Sequence, residues 1–250
     1  MEQNSPLTGL IDSLPSGIVR QVQVGLIWTL VGVEVDGRLQ AGVAASLQNP
    51  DYERLRKPAV RSAGELDALT ARQLAGLVHA ESFTEAAIGL ATVNALLPRQ
   101  AEDWLELSAE EYILQHGAGK NVALIGHFAF TSRLRGQVGT LYVLELNPGE
   151  GDLPASTAPE IVPQADLLVI TATTLINGTL EGLLALRHPA ARTLLVGPST
   201  PLSPQLFDWG FDALFGTVVT DPLLAVRLVA QGASMRQMKH CTRQVCLLRG

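Results

Sequence analysis

Asn121-Val-Ala-Leu-Ile-Gly126 decides the fold. Four apolar residues in succession, closed by glycine, suit a short strand buried on both faces, as in a parallel sheet. Working downstream, Thr140–Leu146, Asp166–Ile170, Thr193–Gly197 and Ala213–Gly216 repeat the theme, with helical segments between several of them. Ser203-Pro204 and Asp221-Pro222 each pair an N-cap residue with proline at the first helical position. Gly210 and Gly232 supply the matching stops. Short strands alternating with helices predict a doubly wound, mainly parallel α/β sheet.

Upstream the pattern changes. Ser108 and Glu111 form a capping box for a helix ending near Gly117, and Arg99–Glu106 reads as a linker. Before it, Gln21–Val35 alternates as a strand, Asp36-Gly37 signals a hairpin, and Leu39–Leu47 returns as a second strand. A loop holding Asn49, Pro50 and Pro58 follows, and then helical spacing over Leu66–His79. Ser82 and Glu85 cap an Ala-rich helix over Thr84–Leu97, ended by Pro98. Strands and then helices, in blocks, predict a small α+β domain over 1–98, ahead of an α/β domain over 107–250.

Composition bounds the function classes. Of the 250 residues 47% are hydrophobic and 17% charged, which predicts a large core. A formal charge of −6 and a pI near 5.4 leave no basic face for nucleic acid. Apolar runs are broken at strand-like intervals, so no membrane span is expected. The polar start, Met1–Gly9 with Glu2, lacks the layout of a secretory signal. Two cysteines, Cys241 and Cys246, suit a reducing cytoplasm rather than a disulfide scaffold.

Three stretches carry a family resemblance. They are Val169-Ile-Thr-Ala-Thr-Thr-Leu-Ile-Asn-Gly-Thr-Leu-Glu181, Leu195-Val-Gly-Pro-Ser-Thr-Pro-Leu202, and Gly210-Phe-Asp-Ala-Leu-Phe-Gly216 with Val219 and Asp221. Together they resemble the C-terminal half of the "putative heavy-metal chelation" family, and Glu85–Leu97 is similar to the helix closing that family's N-terminal domain. The resemblance runs from about Val22 to Gly232. It implies an enolase N-terminal-like domain followed by a Rossmann-like domain, with a pocket between them. It also implies binding, condensation or hydrolysis of metal-chelating small molecules such as siderophore, pterin or flavin derivatives.

Doubly wound sheets bind ligands beyond the carboxyl ends of their strands. Gly126 and His127 follow the first strand there, and Glu145 lies near the end of the second, where a carboxylate can accept from ribose hydroxyls. Thr171, Thr173, Thr174 and Asn177 follow the third. Plain N-capping explains one such residue, but the run is denser than one cap needs. Gly197, Ser199 and Thr200 follow the fourth strand in a proline-stiffened loop, which is either a ligand platform or a simple βα turn. From the first domain, Trp28, Thr29 and Asn94 are candidates to close the pocket, although a Trp on an alternating strand, as Trp28 is, is more often core than ligand platform. His79 is a helix-end histidine with a possible acid–base role against a plain capping one.

Other signals fail. Gly117-Ala-Gly-Lys-Asn121 precedes its strand, and Asn121 stands where a P-loop needs Ser or Thr. No G-x-G-x-x-G follows the first strand, and no G-x-S-x-G occurs near Gly178–Leu183. His240, Cys241 and Cys246 match no closed zinc spacing, so no metal set is assigned to side chains. A chelated metal or a nucleoside-type molecule is the cofactor class left standing. Three readings follow: an enzyme or binder of a chelating or heterocyclic metabolite, a non-catalytic carrier of a chelated metal, and an S-adenosylmethionine-type methyltransferase relative. The expected partner is a small-molecule ligand, with a homodimer left open.

Overall fold

The structure is a computed structural model and describes residues 6–49, 58–99 and 104–250. The N-terminal unit holds α1 (Pro6–Ser13), β1 (Ile18–Val24), β2 (Trp28–Val35), β3 (Arg38–Ala45), α2 (Ala71–Gly76) and α3 (Phe83–Leu96). The C-terminal unit opens with α4 (Ala109–Gly117), β4 (Asn121–Ile125), α5 (Thr131–Leu134), β5 (Thr140–Glu145), β6 (Leu153–Pro154) and α6 (Ala158–Ile161). It continues through β7 (Leu167–Thr171), α7 (Leu180–Leu186), β8 (Arg192–Val196), β9 (Ala213–Val219), α8 (Pro222–Ala230) and β10 (Thr242–Leu248). The fold is therefore α/β, with a small antiparallel sheet followed by a doubly wound one.

The large sheet runs β10-β9-β8-β7-β4-β5-β6, parallel throughout except for β10. The central runs, β4, β7 and β8, are buried on both faces, as the composition predicts. On β4, Val122 and Leu124 enter one cluster with Tyr112 and Ile113 of α4, while Ala123 and Ile125 enter the other. Parity alone makes this division, since successive side chains point to opposite faces. The chain leaves β4 toward β5 on one side and later returns to β7 on the other. The strand order thus reverses at the carboxyl ends of β4 and β7.

The small sheet is an antiparallel meander. Gln21–Val35 is not one strand. The chain turns after Val24, with Gly25 N–H donating to Trp28 O at 3.0 Å, so β1 pairs back on β2. Asp36 and Gly37 make the expected β2–β3 turn with φ of 49° and 73°. Both faces of β2 and β3 are covered. Val31, Val33 and Ala44 pack toward the helices of the N-terminal unit, and Leu30, Ala41 and Val43 pack with Ala225 and Val229 of α8. At Gly42 a Cβ would collide with the backbone of α3 at Ala91 and Ala95, so glycine lets helix and sheet touch.

Several local expectations change. Leu66–His79 is broken into 3-10 turns at Leu66–Ala68 and Leu77–His79 around α2, because Thr70 and Gln73 close a capping box in its middle. Ser82 accepts from Glu85 N–H as expected. The Glu85 carboxylate does not reciprocate: it is buried and takes the Arg61 backbone N–H (2.7 Å) and guanidinium (3.2 Å). Ser108 and Glu111 form the full box. Ser203-Pro204 opens a 3-10 helix over Pro204–Trp209 that ends at Gly210, and Asp221 caps α8. Residues 1–5, Pro50 and residues 100–103 of the linker lie outside the described residues. No helix among the described residues is long and apolar enough to cross a membrane.

Candidate functional site

The strand-order reversal opens a cavity of ≈ 350 Å³, with Gly126 and His127 after β4, Glu145 at the end of β5, and Thr171, Thr173 and Asn177 after β7 among its lining residues. With Thr174, also in the lining, seven residues singled out from the sequence therefore meet around one cavity. Gly126 has φ of 106°, and a Cβ there would lie 3.1 Å from Thr171 Cβ. The positive φ is what favours glycine here, and the close approach to Thr171 leaves little room for a side chain. Thr171 Oγ1 lies 3.1 Å from Thr173 Oγ1 and accepts from Thr173 N–H, which turns the chain into a 3-10 turn over Ala172–Leu175. Asn177 Oδ1 accepts from the backbone N–H and hydroxyl of Thr179 (3.2 and 2.7 Å). Its acceptor is thus spent locally, whatever its N–H groups do. Ile125, Phe128, Leu144 and Leu183 add apolar residues to the lining. A largely apolar lining with a few polar groups suits a small organic molecule.

Glu145 holds the β4 loop. Its carboxylate accepts from His127 N–H (2.7 Å) and from Leu146 N–H (3.0 Å). The His127 ring lies 2.9 Å, through Nδ1, from Oδ2 of Asp152. The Asp152 side chain is only 3% exposed, against 49% for His127. Oδ2 of Asp152 also accepts from Gly149 N–H, and Arg135 stands 3.8 Å from Oδ1. The hydrogen bond from His127 holds the Asp152 carboxyl below its usual range; burial works against this, and Gly149 N–H and the charges of His127 and Arg135 assist it. Sequence reasoning missed Asp152. The only signal is its place in the loop Gly149-Glu-Gly-Asp152, and nothing in that spacing points at His127.

The remaining candidates do not line this cavity. Ser199 Oγ accepts from Ala45 N–H (2.8 Å), and Asn94 Nδ2 donates to Val43 O and Ser199 O, both at 3.0 Å. Thr29 Oγ1 lies 3.0 Å from Ser46 Oγ, and Gly197 N–H donates to Phe215 O. Thr29, Ser199 and Thr200 are buried. Trp28 Nε1, Asn94 Oδ1 and Thr200 Oγ1 are buried without a hydrogen-bond partner among the described residues. These six residues sit where the N-terminal unit lies over the end of the β8–β9 half of the sheet; there Arg99 also donates to Val219 O and to Ala41 O. Loop polarity is the same on both halves, but only the β4–β7 half is left open. The expected interdomain pocket therefore divides. The cavity at the reversal is lined by residues between 125 and 183, while a separate cleft of ≈ 620 Å³ between the units is lined by His79, Phe83, Glu81 and Glu181, and shares Thr174 and Asn177 with it.

The donor set does not suit a resident metal. No three His, Cys, Asp or Glu side chains among the described residues converge to hold one. Cys241 and Cys246 are buried in separate clusters, and burial pushes both thiols up, away from the thiolate that binds metal. Gly117–Asn121 lies at the amino end of β4, remote from the cavity.

Fold and cavity define the class: a doubly wound α/β protein with a ligand-sized hollow at its strand-order reversal, joined to an antiparallel meander. The chain belongs to the family described as "putative heavy-metal chelation", with one model matching residues 109–248 and a second, of the same description, matching 8–97. A crystal structure from Desulfitobacterium hafniense DCB-2, of a protein of unknown function in the same family, aligns with a TM-score of 0.83 at 26% identity over 96% of each chain. A second, from Pyrococcus horikoshii, aligns with a TM-score of 0.81 at 19% identity over 98% of each and shows the shared fold. An uncharacterized protein of Methanocaldococcus jannaschii is 26% identical over 210 residues, 78% of this chain and 76% of its own.

Proposed function

We propose that this protein binds a planar, metal-chelating or heterocyclic small molecule in the cavity at the reversal, and that metal reaches it inside that organic ligand. The observation that carries the reading is the cavity itself, whose lining combines apolar residues with Thr171, Thr173 and Asn177. The family description supplies the link to heavy metals. The scattered donor set argues against coordination by side chains alone. A nucleoside-type ligand is the second reading, supported by Glu145 at the end of β5, though both of its oxygens already accept backbone N–H groups.

Native mass spectrometry with elemental analysis, on protein purified from its own source, tests this. Co-retention of an organic mass with a metal supports the reading. Metal retained after every organic mass has been removed would overturn it.

A further inference from the structure

His127 and Asp152 form a pair that binding alone does not require. An ionised carboxylate only accepts hydrogen bonds, so Nδ1 of His127 must be the donor across the 2.9 Å contact. In its neutral form the ring would therefore carry its lone pair on Nε2. The backbone of the same residue is clamped by Glu145, and His127 is one of the residues lining the cavity. Asp152 is nearly sealed from solvent, and its Oδ1 has no hydrogen-bond partner among the described residues. A buried carboxylate behind an imidazole stabilises that ring once it becomes positively charged. The charged groups around the ring are Asp152, Glu145 through its bond to the backbone, and Arg135 beyond Asp152.

We propose that His127 is the proton acceptor for an ionisable O–H or N–H of the bound ligand, with Asp152 as its positioning residue. The proposal rests on the cavity being the ligand site. The step is complete in itself. The ligand O–H bond breaks, its electron pair stays on the ligand oxygen, and the proton bonds to Nε2. The product is an imidazolium between the Asp152 carboxylate and the ligand anion. Nothing is oxidised or reduced. The chemistry fits a chelator, because chelating groups hold metal in their deprotonated form and protons compete with the metal. An anion alone in an apolar cavity would be costly, and the imidazolium offsets that cost. The ligand class is thus a planar ring carrying an acidic hydroxyl or ring N–H.

The probes are 4-nitrocatechol, whose colour reports its ionisation, and 1,2-dimethoxy-4-nitrobenzene, the same ring with no ionisable hydroxyl. Binding is measured by equilibrium dialysis and ionisation by absorbance, in buffer below the ionisation of free nitrocatechol. Wild type should bind nitrocatechol as the phenolate. His127→Gln should bind it as the neutral phenol and about tenfold more weakly, a factor equal to one pKa unit. The dimethyl ether should bind both equally. Asp152→Asn keeps an acceptor for Nδ1 but not the charge, and should lose the colour change while still binding the ether. If Asp152→Asn does not fold, His127→Gln decides alone, since its ring is half-exposed. Equal ionisation on wild type and His127→Gln would overturn the proposal and leave the cavity reading intact. Failure of both probes to bind wild type would overturn both.

Discussion

The two halves of the parallel sheet end in similar chemistry and meet different fates. After β4 and β7 come Gly126, His127 and a threonine run; after β8 come Gly197, Ser199 and Thr200. The first set surrounds a cavity, while in the second Ser199 and Thr200 are buried and Ser199 is bonded to the N-terminal unit. Polar residues at strand ends thus serve as ligand contacts or as interface bonds, and the difference lies in what covers them. In the sealed half each lost hydrogen bond strands a buried partner; in the open half water or ligand can replace it.

That contrast predicts a ranking. Asn94→Asp should have the largest effect, because an acceptor-only carboxylate would face Val43 O and Ser199 O where the amide now donates. A loss of about 3 kcal/mol in denaturant unfolding is expected, as for an uncompensated buried charge. No loss would show that the seam is wet. Ser199→Ala should follow at about 2 kcal/mol, the cost of leaving Ala45 N–H buried and unpaired. A melting temperature equal to wild type would place Ser199 with the open half instead.

Asp152→Asn probes the open half by its pH dependence. The Asp152 carboxyl is held below its usual range by His127, so its folded-state pKa lies below the unfolded one. The stabilisation is full above the unfolded carboxylate value, about 4, and is lost as pH falls through the folded value. The stability gap between wild type and this variant should therefore be constant near neutrality and close in acid. A gap that widens below pH 4 would contradict the pairing.

Asn177→Asp should change stability least, within about 0.5 kcal/mol, since aspartate keeps the acceptor that Thr179 uses. Affinity for the retained ligand should nevertheless fall, because the two amide N–H donors of this cavity-lining residue are gone. Unchanged affinity, measured by calorimetry on the same preparation, would reduce Asn177 to a turn residue.

Much of the fold was legible because its signals are local. Apolar runs such as Val122–Ile125, caps at Ser108 and Asp221, and the Asp36-Gly37 turn act through residues within a few positions of each other. Gln21–Val35 misled because its alternation continues across the turn after Val24, and periodicity does not report where a strand reverses. Seven cavity residues were legible for a topological reason: a doubly wound order fixes which strand ends flank the reversal.

By itself the sequence determined the short apolar strands of the parallel sheet, the order of the two units and the polar character of their loops. Each depends on periodicity, propensity and capping within a short stretch of chain. Only the tertiary structure decided which polar loops stay open. It set Ala45 against Ser199 across 154 positions, and His127 against Asp152 across 25. These contacts arise where separate elements are packed together by burial of their apolar faces, and burial carries no local signature of which polar groups it brings into contact.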